Sequence, residues 1–282
     1  MPSLTATTSY AALRRAPWPA LRRLIRRGGY RGHTAGLAPG KLQVNLAILP
    51  AAFAADFRLY CDRNPKACPL VGVTAPGDPL FRALGADIDV RTDAPAYNVY
   101  RHGTLAESLT DIGAIWQDDL VAFALGCSFT FERALMAEGL RLLHVENDRT
   151  VSMYASTIPT EPAGPFGGGM VVSMRMIETD RIGDAVRISA AYPLAHGAPV
   201  HVGDPAAIGI PDLASPDWGD PPVPDQHCTP VFWACGVTPQ RAIRKARPPL
   251  CITHRPGSML ITDLDEMAAA AVDPSTKQER TL

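Results

Sequence analysis

Twenty-seven prolines and 23 glycines are spread along the 282 residues. Proline lacks the N–H that a helix interior needs, and glycine favours turns, so a chain punctuated this way builds short elements joined by many turns. A helical bundle is excluded, and an α/β or mixed α+β fold is expected. The length lies near the upper limit for one hydrophobic core, which favours two closely packed subdomains.

Composition removes several classes of partner. Apolar residues make up 46% and charged residues 20%, with a formal net charge of -1. That is the balance of an ordinary globular protein, without the basic excess that nucleic acid or an anionic membrane would call for. No run approaches the roughly 18 apolar residues of a membrane helix, and a cytoplasmic protein is expected. The first acidic residue is Asp56, and the arginine-rich "YAALRRAPWPALRRLIRRGGYRG" has the look of a transit peptide. Its spacing equally gives an amphipathic helix with Leu21, Leu24 and Ile25 inward, the reading preferred here. The six cysteines (Cys61, Cys68, Cys127, Cys228, Cys235 and Cys251) show no CxxC spacing. Neither a disulfide framework nor a zinc site is expected.

Two stretches share one pattern: "FALGCSFTFERAL" (123–135) and "FWACGVTPQRAI" (232–243). Each reads as a buried strand, a turn of Gly and Cys, a hydroxyl suited to cap a helix, and a helix. Ser128 or Thr130 would cap the first, and Thr238, followed by Pro239, the second. A helix start presents free N–H groups and a positive dipole end, so the two turns could hold two carboxylates if their strands are neighbours. Cys235 is either a small buried hydrophobe or a nucleophile. The candidate machinery is His254 as base, Glu132 or Asp263 as acid, Arg175 as charge clamp, and Cys127, Ser128, Gly236 and Thr238 as turn donors. Gln43 and Asn45 on an early strand, and Tyr154, complete the substrate contacts. No residue set is assigned to a metal, and a divalent cation stays open.

A series of stretches runs in order along the chain: "TAGLAPGKLQVNLAILP", "DFRLYCDRNPKACPL", "TDAPAYNVYRHG", "DDLVAFALGCSFTFE", "VVSMRMI", "HGAPVHVGDP", "PVFWACGVTPQ" and "ITHRPGSMLITD". From about Leu21 to Asp263 this series resembles the bacterial D-glutamate cyclase family, long carried as hydro-lyases and related to part of the mitochondrial D-glutamate cyclase. The resemblance implies a three-layer αβα sandwich with a smaller two-layer α+β subdomain. With the reading along the chain, it divides the protein into a main domain (1–145 plus 205–265), an inserted unit (146–204) and a flexible tail (266–282). The implied activity is dehydration of D-glutamate to 5-oxo-D-proline. The chain departs from the family pattern at Ala155-Ser156-Thr157, where the family has Arg-Thr-Asn, and at Ser258, where it has histidine. A dehydratase or cyclase of another amino or hydroxy acid therefore stays open, as does a small-molecule binding protein without turnover. The expected partner is an amino-acid or carboxylate small molecule, with no nucleic acid and no membrane; a homo-oligomer stays open.

Overall fold

The computed structural model describes residues 10–266. Its elements are α1 (Tyr10–Leu13), α2 (Trp18–Arg26), β1 (Lys41–Pro50), α3 (Ala51–Arg63), β2 (Leu70–Val73), β3 (Tyr97–Arg101), β4 (Thr104–Leu109), β5 (Leu120–Gly126), α4 (Phe129–Ala137), α5 (Leu143–Glu146), β6 (Ser152–Pro159), β7 (Gly169–Glu178), α6 (Ile182–Ala190), β8 (His201–Val202), β9 (Cys228–Ala234), α7 (Val237–Ala246), β10 (Cys251–His254) and β11 (Leu260–Asp265). Except for Glu266, the expected flexible tail lies outside the described residues.

The elements form two sheets, so the mixed α/β class is as expected. The larger has the order β2-β5-β1-β10-β3-β4, with β11 also on β1, and the smaller β6-β7-β9-β8. Every strand pairing within them is antiparallel.

The centre of the larger sheet is β1, buried almost end to end. Side chains alternate between the faces of a strand. Leu42, Val44, Leu46 and Ile48 pack into one core, and Ala47 and Leu49 into another. Gln43 and Asn45 fall on the Ala47 face by the same alternation. The core on that face also receives Phe57 and Tyr60 of α3, Ala242 and Ile243 of α7, and Tyr154, Val172, Met174, Phe232 and Ala234 of the smaller sheet. The opposite face of the larger sheet is covered by Phe81, Leu84, Ile88, Val90 and Ala94, from a segment without helix or strand. A helical layer expected there from a sandwich is thus replaced by packed turns.

Sheet membership differs from the expected division of the chain at 204/205. Strand β9 pairs with β7 from Glu178↔Cys228 to Val172↔Ala234, so it belongs to the smaller sheet. Its sequence carries no mark of this. Phe232 and Ala234 face α3, while Val231 and Trp233 face the core shared with α4 and α6, and a strand buried on both faces reads as apolar wherever it sits.

The basic helix α2 is a structural element. Leu21, Leu24 and Ile25 are buried as expected. Arg22 pairs with Asp87 and Asp263, and Arg26 with Asp93. Among the described residues no helix is long and apolar enough to cross a membrane.

Candidate active site

A recess opens where the two strand-turn-helix units approach each other. Its walls include Cys127, Ser128 and Phe129 at the start of α4, and Cys235, Gly236, Val237 and Gln240 at the start of α7. Asn45, His196 and His254 line it too, with Val151 and Met153 beside β6 and the strap Pro256, Gly257 and Met259. Its free space of about 60 Å³ holds a handful of water molecules, at the ~10–15 Å³ each requires.

The two turns meet although their strands lie in different sheets, so the condition of neighbouring strands was not the one the fold used. Close backbone approach brings them together. The last residue of β5, Gly126, lies so near Leu194 that a Cβ there would sit 1.5 Å from the Leu194 carbonyl oxygen. Gly236 rests on Asn45, whose Nδ2 would be 2.5 Å from a Cβ at that position. That same Nδ2 donates to the Gly126 carbonyl at 2.7 Å, so one carboxamide touches both turns.

Both cysteines are buried thiols. Burial pushes Cys127 up to about 12 against the pull of the Phe129 N–H, and it raises Cys235 against the Val237 N–H. The nucleophile reading of Cys235 is therefore corrected, since attack needs a thiolate. Each sulfur instead faces the N–H two residues further on and shapes its turn.

The expected charge clamp is committed elsewhere. Arg175 is 1% exposed, and its Nε and Nη2 donate to Oε1 of Glu132. Nη2 also donates to Ser128 Oγ at 3.0 Å, and Nη1 to Ser173 Oγ at 2.6 Å. The guanidinium lies 5.0 Å from the Phe131 ring centre and 5.3 Å from that of Trp233. With its donors occupied, Arg175 positions Ser128 and does not reach the recess. Burial pushes the Glu132 carboxyl up, but the Arg175 charge and His144 pull it further down, to about 2. It stays a carboxylate at neutral pH, which corrects its proposed role as acid. Asp263, the other expected acid, accepts from Trp18 Nε1 and Arg22 and fastens α2.

Other expected contacts also have structural partners. Gln43 Nε2 donates to the carbonyls of Thr34 and Leu37, and Tyr154 OH to that of Leu213. Thr238 is no cap: α7 begins one residue earlier, and Thr238 Oγ1 accepts the Val171 N–H and donates to the Val171 carbonyl. Ser128 sits at the cap position of α4, where its oxygen serves Arg175 and makes no cap bond. Of the expected residues, the recess gathers Asn45, Cys127, Ser128, Cys235, Gly236 and His254.

His254 stands where β1 changes partner, from β11 (at Val44↔Leu260) to β10 (at Ala47↔Thr253). The Leu46 N–H, which lies in that gap, donates to His254 Nδ1 at 3.0 Å. In the neutral ring the hydrogen is then on Nε2, so the expected base offers a donor. Burial lowers this histidine to about 4.

The Gln240 side chain and His196 are polar wall groups that the sequence reading did not single out. Gln240 follows Val237 by three positions on α7, so helical spacing could have put it on the same face. Its Nε2 is buried without a hydrogen-bond partner, at a cost of about 1–3 kcal/mol for an unsatisfied group. His196 gave no signal, because its ring is buried only through the approach of residues 193–197 to β5. Among the described residues, no group of three or more His, Cys, Asp or Glu could hold a metal ion. His201 Nε2 lies 2.7 Å from the Asp204 carbonyl oxygen.

Comparison with known proteins agrees with the resemblance. The family model for D-glutamate cyclase matches residues 121–263, which contain both turns and His254. A protein of Dinoroseobacter shibae is 62% identical over 260 residues, covering 92% of this chain and 86% of its own length. The chain belongs to the D-glutamate cyclase family. Relatives from Ruegeria pomeroyi (58% identical, 97% of this chain and all of the relative) and Cupriavidus taiwanensis (56%, 87% of this chain and 92% of the relative) match along most of both chains. All three carry the term hydro-lyase in their names, so this member of the D-glutamate cyclase family is a carbon–oxygen lyase by class.

Proposed function

We propose that the recess cyclises D-glutamate to 5-oxo-D-proline. The α-amine nitrogen bonds to the γ-carboxyl carbon, one γ-oxygen leaves, and two protons from the ammonium depart with it as water. The observation that carries this reading is the unpaired Gln240 carboxamide between two converging helix starts. A buried donor with no partner in the protein is satisfied when an acceptor binds. Helix starts favour anions, and two of them suit a dicarboxylate. One carboxylate against each turn folds glutamate back on itself, which supplies the proximity that ring closure needs.

The test is chiral mass spectrometry of the protein incubated separately with D-glutamate, L-glutamate and 5-oxoproline, with and without divalent metal. Conversion of D-glutamate is expected; no conversion in either direction would overturn the reading. A second reading, water elimination from another amino or hydroxy acid, is favoured by Ala155. It lies two residues from Met153 on β6, on the same face as that wall residue, where the family pattern has arginine. A binding protein without turnover would show thermal stabilisation by these compounds and no product.

A further inference from the structure

We propose that two histidines divide the proton work of the recess: His196 presents a bare Nε2 as proton acceptor, and His254 presents Nε2–H as hydrogen-bond donor. The assignment follows from what each ring's other nitrogen touches. His196 Nδ1 lies 2.7 Å from the carbonyl oxygen of Lys66. A carbonyl only accepts, so Nδ1 carries the hydrogen and the neutral ring has its lone pair on Nε2. His254 Nδ1 lies 3.0 Å from the Leu46 N–H, which only donates, so this ring has the opposite tautomer. The Leu46 carbonyl is also near His254 Nδ1, but at 3.4 Å it is the weaker contact.

Both rings line the recess and both are 1% exposed. Each is fixed by backbone: His196 by a left-handed conformation (φ 78°) beside Gly197, His254 by its place at the end of β10. Burial keeps both neutral, so the tautomers and not net charge define what the pocket offers.

Resting on the reading of the recess as a D-glutamate site, the roles complete the reaction. His196 Nε2 takes a proton from the substrate ammonium, freeing the nitrogen lone pair to attack the γ-carboxyl carbon. The negative charge of the bound dicarboxylate favours the imidazolium formed in that step. The His254 Nε2–H bonds a γ-carboxyl oxygen and steadies its charge in the tetrahedral intermediate. His196 then gives its proton to the departing oxygen, takes the remaining surplus proton from nitrogen and passes it to that same oxygen, so water leaves and both rings end neutral.

The first test is long-range proton–nitrogen NMR of uniformly 15N-labelled protein at neutral pH, assigned with His196→Gln and His254→Gln. Hydrogen on Nδ1 of His196 and on Nε2 of His254 is expected; the same tautomer in both, or a charged ring, overturns the proposal. This measurement needs no turnover, so it stands even if D-glutamate proves not to be the substrate. The second test is kinetic, on variants whose unfolding midpoints match the parent. His196→Gln should lower kcat roughly 100-fold or more with little change in KM, the usual size for a lost general base. His254→Gln keeps an N–H and should lose less than about tenfold, while His254→Leu should lose more than His254→Gln. Equal losses for His196→Gln and His254→Gln would overturn the division of roles.

Discussion

The two strand-turn-helix units look alike in sequence and differ in how their helix starts are used. At β5–α4 the turn is braced from behind: Arg175, Glu132 and Ser128 form a buried ionic group. At β9–α7 the tie from Thr238 to Val171 is neutral, and the Nε2 of Gln240, two residues on, is buried without a partner. One turn is rigidly held, and the other keeps a donor in reserve. A pocket that must grip a small dicarboxylate needs both, because orientation requires a fixed wall and affinity requires a bond that only the ligand completes.

The largest expected effect tests the rigid side. Arg175→Met leaves the buried Glu132 carboxylate with His144 alone beside it and should cost about 3–5 kcal/mol in chemical denaturation, while Arg175→Met/Glu132→Leu should recover much of the loss. If the single and double variants were equally stable, the ionic group would not be what distinguishes the first unit.

Acid should weaken the wall the two units share. His196 and His254 are held neutral when folded and regain the ordinary histidine value of 6.5 when unfolded. Below pH 6.5 the unfolded chain therefore binds protons that the native state does not, and stability falls as pH drops toward 4. Each ring should contribute about 1.4 kcal/mol per pH unit, or about 3 kcal/mol by pH 4. Denaturation curves across this range should show the fall, and His196→Gln should roughly halve its slope. Glu132 adds a further loss only below its ordinary 4.5, as pH approaches 2.

The glycines sharpen the comparison further. A Cβ at Gly126 meets backbone, and one at Gly236 meets the movable end of Asn45. Gly126→Ala should therefore destabilise more than Gly236→Ala, whose cost should lie near the 1–3 kcal/mol of ordinary overpacking. Equal midpoints would show that the Leu194 segment yields. The smallest change in stability is expected from Gln240→Leu, which removes the unpaired donor. It should raise stability by up to about 1 kcal/mol while weakening the binding of 5-oxo-D-proline roughly tenfold by calorimetry. A clear loss of stability would show that the amide already has a partner.

Much of the local structure was legible from short patterns. The strand, turn and helix of each repeated unit, and Leu21, Leu24 and Ile25 turned inward, followed from periodicity and turn residues. The site was legible only in part. Cys127, Ser128, Cys235 and Gly236 stood out because a turn between apolar strand and helix is a local feature. Arg175, Glu132 and Asp263 misled, because a charged residue near a candidate site looks the same whether it faces a ligand or a buried partner far away in sequence. His196 carried no local mark of function, and Gln240 only its helical spacing from Val237.

The sequence by itself determined the element types, the family and the two turns, since each depends on residues within a few positions of one another. The tertiary structure alone decided which sheet received β9, which histidine nitrogen holds the hydrogen, and which polar groups have partners. Those outcomes depend on contacts such as Leu46 with His254 and Lys66 with His196, between residues more than a hundred positions apart. Only the folded backbone brings such a donor or acceptor against a given ring, and burial then makes that single contact decisive by removing the water that would otherwise replace it.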